Sequence, residues 1–440
     1  MKKIGFVSLG CAKNLTDTET MLGLLAGDGY EITADPSDAS VIVVNTCAFI
    51  DSAKEESINA ILEMAKYKES NCELLVVTGC LAQRYKNEIE EQLPEVDIIL
   101  GTSDYAKIAA VIDEYYADGS KNSFVGDANE SVEENLPRIR STAPHTAYLK
   151  IADGCDNHCT YCIIPTLRGK FRSRSEESII AEARQMAAQG VKELILVAQD
   201  TAYYGMDGGE HRLSALVDKL SQIDRIEWIR LQYCYPENIT DDLIEEIAHN
   251  GKVVKYLDMP LQHVSDNVLR RMGRRSRHNE IEKLIDELRR RIDGLVIRTS
   301  LIVGFPGEND EDFECLLDFI KKYKLDRVGV FTYSREEGTP AYNFDGRIDA
   351  DTANKRRDEI MTAQMDISNE KNHEKIGKRV RVIIEDYDES EFCYVGRTEA
   401  DTPDVDGGAY VYSETELAVG DIIEAVVIDA NEYDVICRYN

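Results

Sequence analysis

Residues 154–165 carry Cys155, Cys159 and Cys162 in a C-x3-C-x2-C spacing, directly after a strand-like run at 148–152. Three thiolates on so short a loop can ligate three corners of a cubane iron–sulfur cluster, whose full protein ligation takes four cysteines. The missing fourth ligand leaves one iron open. An open position is what a metal needs to do chemistry rather than only hold structure. A structural zinc site would pair these cysteines with a second, distant pair, and the chain offers no such pair.

The chain of 440 residues is long enough for two to four domains. Its apolar runs are short, so no membrane span is predicted, and the lysine-containing start is broken too early to act as a leader. The expected location is cytoplasmic. There, eleven cysteines point to metal ligands and free thiols rather than to a disulfide framework. With 82 acidic and 51 basic side chains the formal net charge is −31. That charge opposes a nucleic acid as main partner, since affinity there comes from neutralised phosphates, and favours a basic partner.

Residues 1–117 alternate short apolar runs (4–9, 41–45, 74–77) with helix-like stretches at 17–26, 52–68 and 85–92, the pattern of a parallel α/β sheet. Cys11, Cys47 and Cys80 each follow a run by one to three residues. In a parallel sheet the carboxyl ends of the strands share one edge, where ligands bind. A single such cysteine would belong to the core; three at equivalent strand ends predict a second three-cysteine site with an open iron. Residues 118–145, rich in Ser, Asn, Gly and Glu, read as a linker.

From 146 to 370 six βα units are predicted, too few for an eightfold barrel, so a partial (β/α)6 barrel is expected. Its cysteine loop follows the first strand and lies on the C-terminal face, where barrel chemistry is built. That rule nominates Gln199 and Asp200 after the second strand, Tyr235, Gln262 and His263 after the third and fourth, and Tyr333 and Arg335 after the sixth. Arg298 and Ser300 are polar positions inside the fifth strand, where a central strand should be apolar. His263 serves equally well as a structural histidine. The run Arg270, Arg271, Arg274, Arg275, Arg277 reads as a solvated helix face. Residues 373–440 form short strand patterns separated by Gly, Asp and Pro, which suggests a small OB-like all-β barrel. It holds 6 basic and 17 acidic side chains, a net of −11, the wrong sign for an RNA groove.

The loop C-x3-C-x-aromatic-C, with Tyr161 at the aromatic position, resembles the signature of the radical S-adenosylmethionine (SAM) enzymes. The resemblance implies that Cys155, Cys159 and Cys162 hold the catalytic [4Fe–4S] cluster, whose open iron binds SAM and whose reduced form cleaves it to a 5′-deoxyadenosyl radical. It places Tyr161 near the adenine and makes Gln199, Asp200, Arg298, Ser300, Tyr333 and Arg335 candidate SAM contacts. Gln199 and Asp200 stand where many members carry a Gly-Gly-Glu stretch.

The stretch Ser8-Leu9-Gly10-Cys11-Ala12-Lys13-Asn14, with Asp17 and Glu19 beyond it, resembles the amino-terminal domain of the methylthiotransferases. So do Asn45-Thr46-Cys47 and Thr78-Gly79-Cys80, and residues 373–440 resemble the TRAM domain that ends those enzymes. The likeness covers the whole chain in the family's three-domain order. It implies an auxiliary [4Fe–4S] cluster on Cys11, Cys47 and Cys80 that handles the sulfur, a second SAM as methyl donor, a sulfur donor, and an electron donor such as flavodoxin or ferredoxin. One branch of the family modifies an adenosine in tRNA. The other adds a methylthio group to the β-carbon of an aspartate in ribosomal protein S-twelve. Cys11-Ala12-Lys13-Asn14 and Ala152-Asp153-Gly154-Cys155-Asp156-Asn157-His158-Cys159 look like the ribosomal branch; tRNA enzymes tend to carry Gln-Met-Asn after the first cysteine. The acidic charge fits a basic ribosomal protein as partner. A non-catalytic iron–sulfur scaffold or regulator is the competing class; it predicts bound clusters without reductant-dependent SAM cleavage.

Overall fold

The computed structural model describes residues 2–130 and 134–440; residue 1 and residues 131–133 of the expected linker lie outside the described residues. Five parallel strands form the first sheet: β1 (Lys3–Ser8), β2 (Glu31–Thr33), β3 (Val41–Thr46), β4 (Leu74–Gly79) and β5 (Ile98–Leu100), in the order β2-β1-β3-β4-β5. β3 and β4 are buried along their full length, as strands covered on both faces must be. The helix after β1 spans Ala12–Gly27, five residues earlier than its pattern suggests. Lys13, Asn14, Thr16, Asp17, Thr18 and Glu19 are all buried in it, so its apolar face is disguised by polar residues that serve an interface.

Six parallel strands make the second sheet: β6 (Thr146–Lys150), β9 (Glu193–Val197), β10 (Trp228–Leu231), β11 (Val253–Asp258), β12 (Val296–Val303) and β13 (Arg327–Thr332). They lie side by side in chain order, each returned by helical crossovers, and the sheet stays open between β13 and β6. A two-residue ribbon, β7 (Ala152–Asp153) with β8 (Arg172–Ser173), brackets the cysteine loop. On β12 the alternation is strict. Ile297, Thr299, Leu301 and Val303 are buried toward the helices, while Val296, Arg298, Ser300 and Ile302 are half-buried on the inner face. The polar pair expected to be anomalous in a central strand therefore faces the barrel interior.

The third sheet is a closed barrel of β14 (Arg379–Asp388), β15 (Cys393–Thr398), β16 (Ala409–Ser413), β18 (Val435–Tyr439) and β17 (Ile422–Ala430). Ahead of it runs the helix Ala350–His373, which apolar periodicity missed because its buried face mixes Ala353, Ile360 and Ile367 with Arg356, Gln364 and Asn372. No helix among the described residues is long and apolar enough to cross a membrane.

The small barrel is not a pendant. Its Ile383 packs with Trp228, Val254 and Tyr256 on the inner face of the open sheet. Its 399–406 loop supplies polar partners there: Asp401 pairs with Arg327 at 2.6 Å, Thr402 accepts from Gln232 at 2.6 Å and Asp406 accepts from Tyr256 Oη at 2.7 Å. Glu193 at the start of β9 is wholly buried between Arg230 (2.8 Å) and Arg397 of the small barrel (2.6 Å). Burial would raise this carboxyl, but the two guanidiniums outweigh it and hold it down at about 2. A folded-state pKa below the ordinary 4.5 means stability that is present above pH 4.5 and lost as pH falls toward about 2. Acid titration is expected to release the small barrel in that window, seen as increased proteolytic cleavage near 373–379. Glu193→Gln, which leaves two buried arginines short of their counter-charge, is expected to cost about 3–5 kcal/mol in thermal denaturation at neutral pH.

Candidate active site

Cys155, Cys159 and Cys162 sit on the loop between β7 and a short helix, Ile164–Arg168. Cys155 and Cys159 are buried and Cys162 half-buried. The loop is clamped from both sides. Cys155 N donates to Gly169 O at 3.1 Å, and Thr160 N and Oγ1 donate to Met272 O (2.9 Å) and Arg271 O (2.7 Å). Gly154, at φ +78°, is required because any Cβ there would run into Lys170 O. Burial pushes the Cys155 thiol up to about 11 and raises Cys162 as well, so ionising them calls for a bound cation.

Arg274 is the residue that sequence reasoning misplaced. It is not on a solvated face but 3% exposed, because Gly273 (φ +72°) turns the chain inward against His158 O. Its guanidinium donates to Pro260 O at 3.0 Å, pairs with Glu237 at 3.3 Å, stacks on Tyr235 and points one N–H at Cys159 Sγ, 4.0 Å away. A cation against a thiolate tunes any metal it holds. A cavity of about 190 Å³ beside it is lined by Asn157, His158, Cys159, Asp200 and Arg275 among others.

The strand-end residues divide into two sets. Gln199 donates to Asp153 at 2.9 Å while its Oε1 is buried without a partner. Asp200 is buried and accepts from Asn157 (3.0 Å) and Asn238 (2.6 Å), and burial lifts its carboxyl to about 6. Tyr161 and Tyr333 both flank Phe305, at 6.3 and 5.2 Å between centroids, and both hydroxyls are buried without partners. Three orphaned polar atoms on one rim, next to three free thiols, are the features of a site built to receive a polar cofactor. Arg298 lies deeper, on Asp258 at 3.1 Å and near Asp406 at 3.6 Å, with Ser300 one pleat above it on the same inner face. Arg335 is not brought to this group: it is exposed, bonded to Tyr342 O and stacked on that ring. His263 is buried, accepts from Ser265 N, and is held neutral by burial with a pKa near about 3.

The second cysteine set lies on the rim of the first sheet. Cys11 caps the helix Ala12–Gly27, Cys47 follows β3 and Cys80 opens the helix Cys80–Arg84 after β4. Gly10 and Cys47 touch: a Cβ on Gly10 would lie 2.8 Å from Cys47 Cβ. Asn14 and Asn45 tie the first two loops, with Asn14 Nδ2 on Leu9 O (2.7 Å) and Thr46 O (3.2 Å), and Asn45 Nδ2 on Asn14 O (2.9 Å), and Thr46 Oγ1 joins the third strand end by donating to Thr78 O at 2.5 Å. Burial raises the Cys47 thiol to about 11 and lifts Cys80 too. Cys11 differs. Although water reaches it, surrounding protein would still raise its thiol; Lys13, Arg168 and the N–H groups of the first helical turn outweigh that and bring it below its ordinary value. Among the described residues no three His, Cys, Asp or Glu converge as ligands of a single ion.

Arg168, three per cent exposed, joins the two sets. It rises from the first cysteine loop, pairs with Asp17 at 2.6 Å and Asp153 at 3.3 Å and donates to Asn14 Oδ1 at 3.0 Å, and its charge partly offsets the effect of burial on the Cys80 thiol. Ile163 and Leu167 beside it are buried in the core of the first domain. A larger cavity, about 290 Å³, is lined by the first helix, the 134–140 segment, Lys150, Asp153 and Gln185 and by none of the six cysteines.

Comparisons with known proteins give the chain its relatives. Residues 3–101 match an uncharacterized protein family, UPF0004; residues 149–320 match the radical SAM superfamily; residues 376–439 match the TRAM domain. The chain is 52% identical over 99% of its length, and 98% of the relative's, to the ribosomal protein uS12 methylthiotransferase RimO of Acetivibrio thermocellus. It is 48% identical, over 99% of its length and 98% of the relative's, to that of Geobacter sulfurreducens. This chain belongs to the RimO methylthiotransferase family. As a family member it is a SAM-dependent radical transferase. Among solved structures, the radical SAM methyltransferase TsrM of Kitasatospora setae, with cobalamin and a [4Fe–4S] cluster bound, is 14% identical and superposes with a TM-score of 0.57 over 78% of this chain and 77% of its own. That likeness shows the shared fold.

Arg168→Met is expected to leave Asp17 and Asp153 short of their cation and to lower stability by about 3–5 kcal/mol. Thermal unfolding of this variant beside Arg335→Met, which should change stability by no more than about 0.5 kcal/mol, checks it.

Proposed function

We propose that this chain adds a methylthio group to the β-carbon of an aspartate in ribosomal protein uS12, with one [4Fe–4S] cluster on Cys155, Cys159 and Cys162 and a second on Cys11, Cys47 and Cys80. The observation that carries the reading is the coupling of two three-cysteine rims through Arg168, each rim lacking a fourth thiol. The relatives named above act on uS12, and the acidic small barrel fits a basic substrate by charge.

Bound at these rims, the clusters and SAM supply one-electron chemistry able to break an unactivated C–H bond, a source of sulfur and a methyl donor. General-base chemistry does not suit such a carbon; the hard step belongs to the cofactors. The protein's own residues do the rest. Asn157, Asn238 and Asp200 fix the first loop against the second and third strand ends. Gln199, Tyr161 and Tyr333 offer unpaired polar atoms to SAM, with Arg298 and Ser300 below them. Arg274 and Arg168 place positive charge beside thiolates. Arg270 and Arg275 stand exposed next to the cluster loop without a carboxylate partner among the described residues. In so acidic a chain, they give an acidic electron donor such as flavodoxin or ferredoxin a place to dock. A sulfur donor completes the set of partners.

The test is mass spectrometry on anaerobically reconstituted protein given SAM, a strong reductant, and either a peptide carrying the target aspartate or unmodified tRNA. The expected result is a methylthio mass gain on the aspartate; a gain on tRNA adenosine alone would overturn the substrate assignment. Replacing Cys155, Cys159 and Cys162 by Ala is expected to abolish reductant-dependent SAM cleavage while about half the iron remains, as follows from one cluster lost of two. Retained SAM cleavage would sink the division of roles.

A further inference from the structure

Lys13 stands two residues past Cys11, in the first turn of the helix Ala12–Gly27. It is 7% exposed. The other buried cations around the two rims have carboxylate partners: Arg168 has Asp17 and Asp153, Lys150 has Asp17, Arg274 has Glu237 and Arg298 has Asp258. Lys13 has none among the described residues. Its ammonium lies over the face of the Tyr233 ring, 3.4 Å from the centroid, and a ring face replaces only part of a lost hydration shell.

The partner ring is itself held in place at a cost. Tyr233, just past β10, has φ +59°, a conformation that a bulky residue keeps only when its surroundings impose it, as they do at functional sites. Its N–H is fixed on Asp258 Oδ2 at 3.1 Å. Asp258 is thereby shared between Tyr233 and Arg298. Ala12 and Leu15, on either side of Lys13, pack with Tyr148, Ile195, Val197 and Tyr233 on the inner face of the barrel. The ammonium, which faces the Cys11 thiol but has no carboxylate among the described residues within ion-pair distance, is thus carried from the auxiliary rim to the mouth of the barrel, where it can take an anion.

We propose that Lys13 binds the side-chain carboxylate of the substrate aspartate. The proposal rests on the aspartate reading above. The reacting β-carbon is bonded directly to that carboxylate, so an anchor on the carboxylate fixes the carbon. The anchor and Cys11 share one helical turn, so the sulfur-bearing rim and the target carbon keep a set spacing. The helix N-terminus adds to the pull on an anion. A neutral amide in place of the aspartate would leave the ammonium without its counter-charge, which is the stronger form of discrimination.

The experiment measures peptide affinity on the reconstituted holoenzyme with SAM and without reductant, using a labelled target peptide with Asp and its Asp-to-Asn counterpart. Wild type is expected to favour the Asp peptide by about tenfold or more, the usual worth of a hydrogen bond to a charged group. Lys13→Met is expected to bind both alike, at the wild-type Asn level, and Lys13→Arg to keep part of the preference. Equal binding of the two peptides by wild type, or an undiminished preference in Lys13→Met, would overturn the proposal. SAM also carries a carboxylate: a weaker SAM affinity in Lys13→Met with the peptide preference intact would assign the ammonium to SAM and overturn it too. Should Lys13→Met fail to fold, the wild-type pair and Lys13→Arg decide the matter. Failure of the wild type to methylthiolate the Asp peptide would overturn the aspartate reading itself, and this proposal with it.

Discussion

A buried positive charge is the constraint on which the architecture turns. Arg168 is removed from water and surrounded by Asp17, Asp153 and Asn14. An uncompensated guanidinium there would not be tolerated, so the first helix must dock where its Asp17 and Asn14 can reach the cysteine loop. Lys150 joins from β6, paired with both Asp17 and Asp153. The network therefore sets the angle and distance between two domains and, with them, between two sets of thiols. The segment at 138–141 repeats the device two residues further along the helix, where Glu19 takes Arg138 at 2.8 Å and Ser141 N at 2.6 Å, while Arg138 also holds Glu182 of the second domain.

Much of this was legible in the sequence, and the reason is periodicity. Strand ends marked by Cys11, Cys47 and Cys80 could be read because short apolar runs in an α/β domain define one rim, and the C-x3-C-x2-C loop announces itself. The six inner strands and the small barrel follow from the same patterns. What was hidden is docking. Lys13, Asn14, Asp17 and Glu19 look like the solvated side of a helix, but Tyr233, Arg168 and the 138–141 segment cover them. Arg274 looks like one of five surface arginines until Gly273 turns it inward. Arg335 occupies the right strand end but is drawn off by Tyr342, a contact that spacing does not encode.

The inner face of the open sheet shows how an incomplete barrel manages without its missing strands. An eightfold barrel fills its centre with its own side chains. Here Trp228, Arg230, Gln232, Tyr256 and Arg327 are met instead by Ile383, Thr402, Asp406 and Asp401 of the small barrel. The contacts mix an apolar anchor with fully buried ion pairs. Such pairs contribute less to stability than their number suggests, yet they define a single docked geometry.

The way the 399–406 loop closes the floor of the barrel bears on how such chains can be recombined. Three regions that read as separate modules share one interior, so the small barrel is also a wall of that interior. A chimera that exchanges it between relatives would change the shape and charge beneath the barrel mouth, unless the inward residues of β10, β11 and β13 travelled with it. A change on one side of this seam therefore bears on the residues that face it from the other.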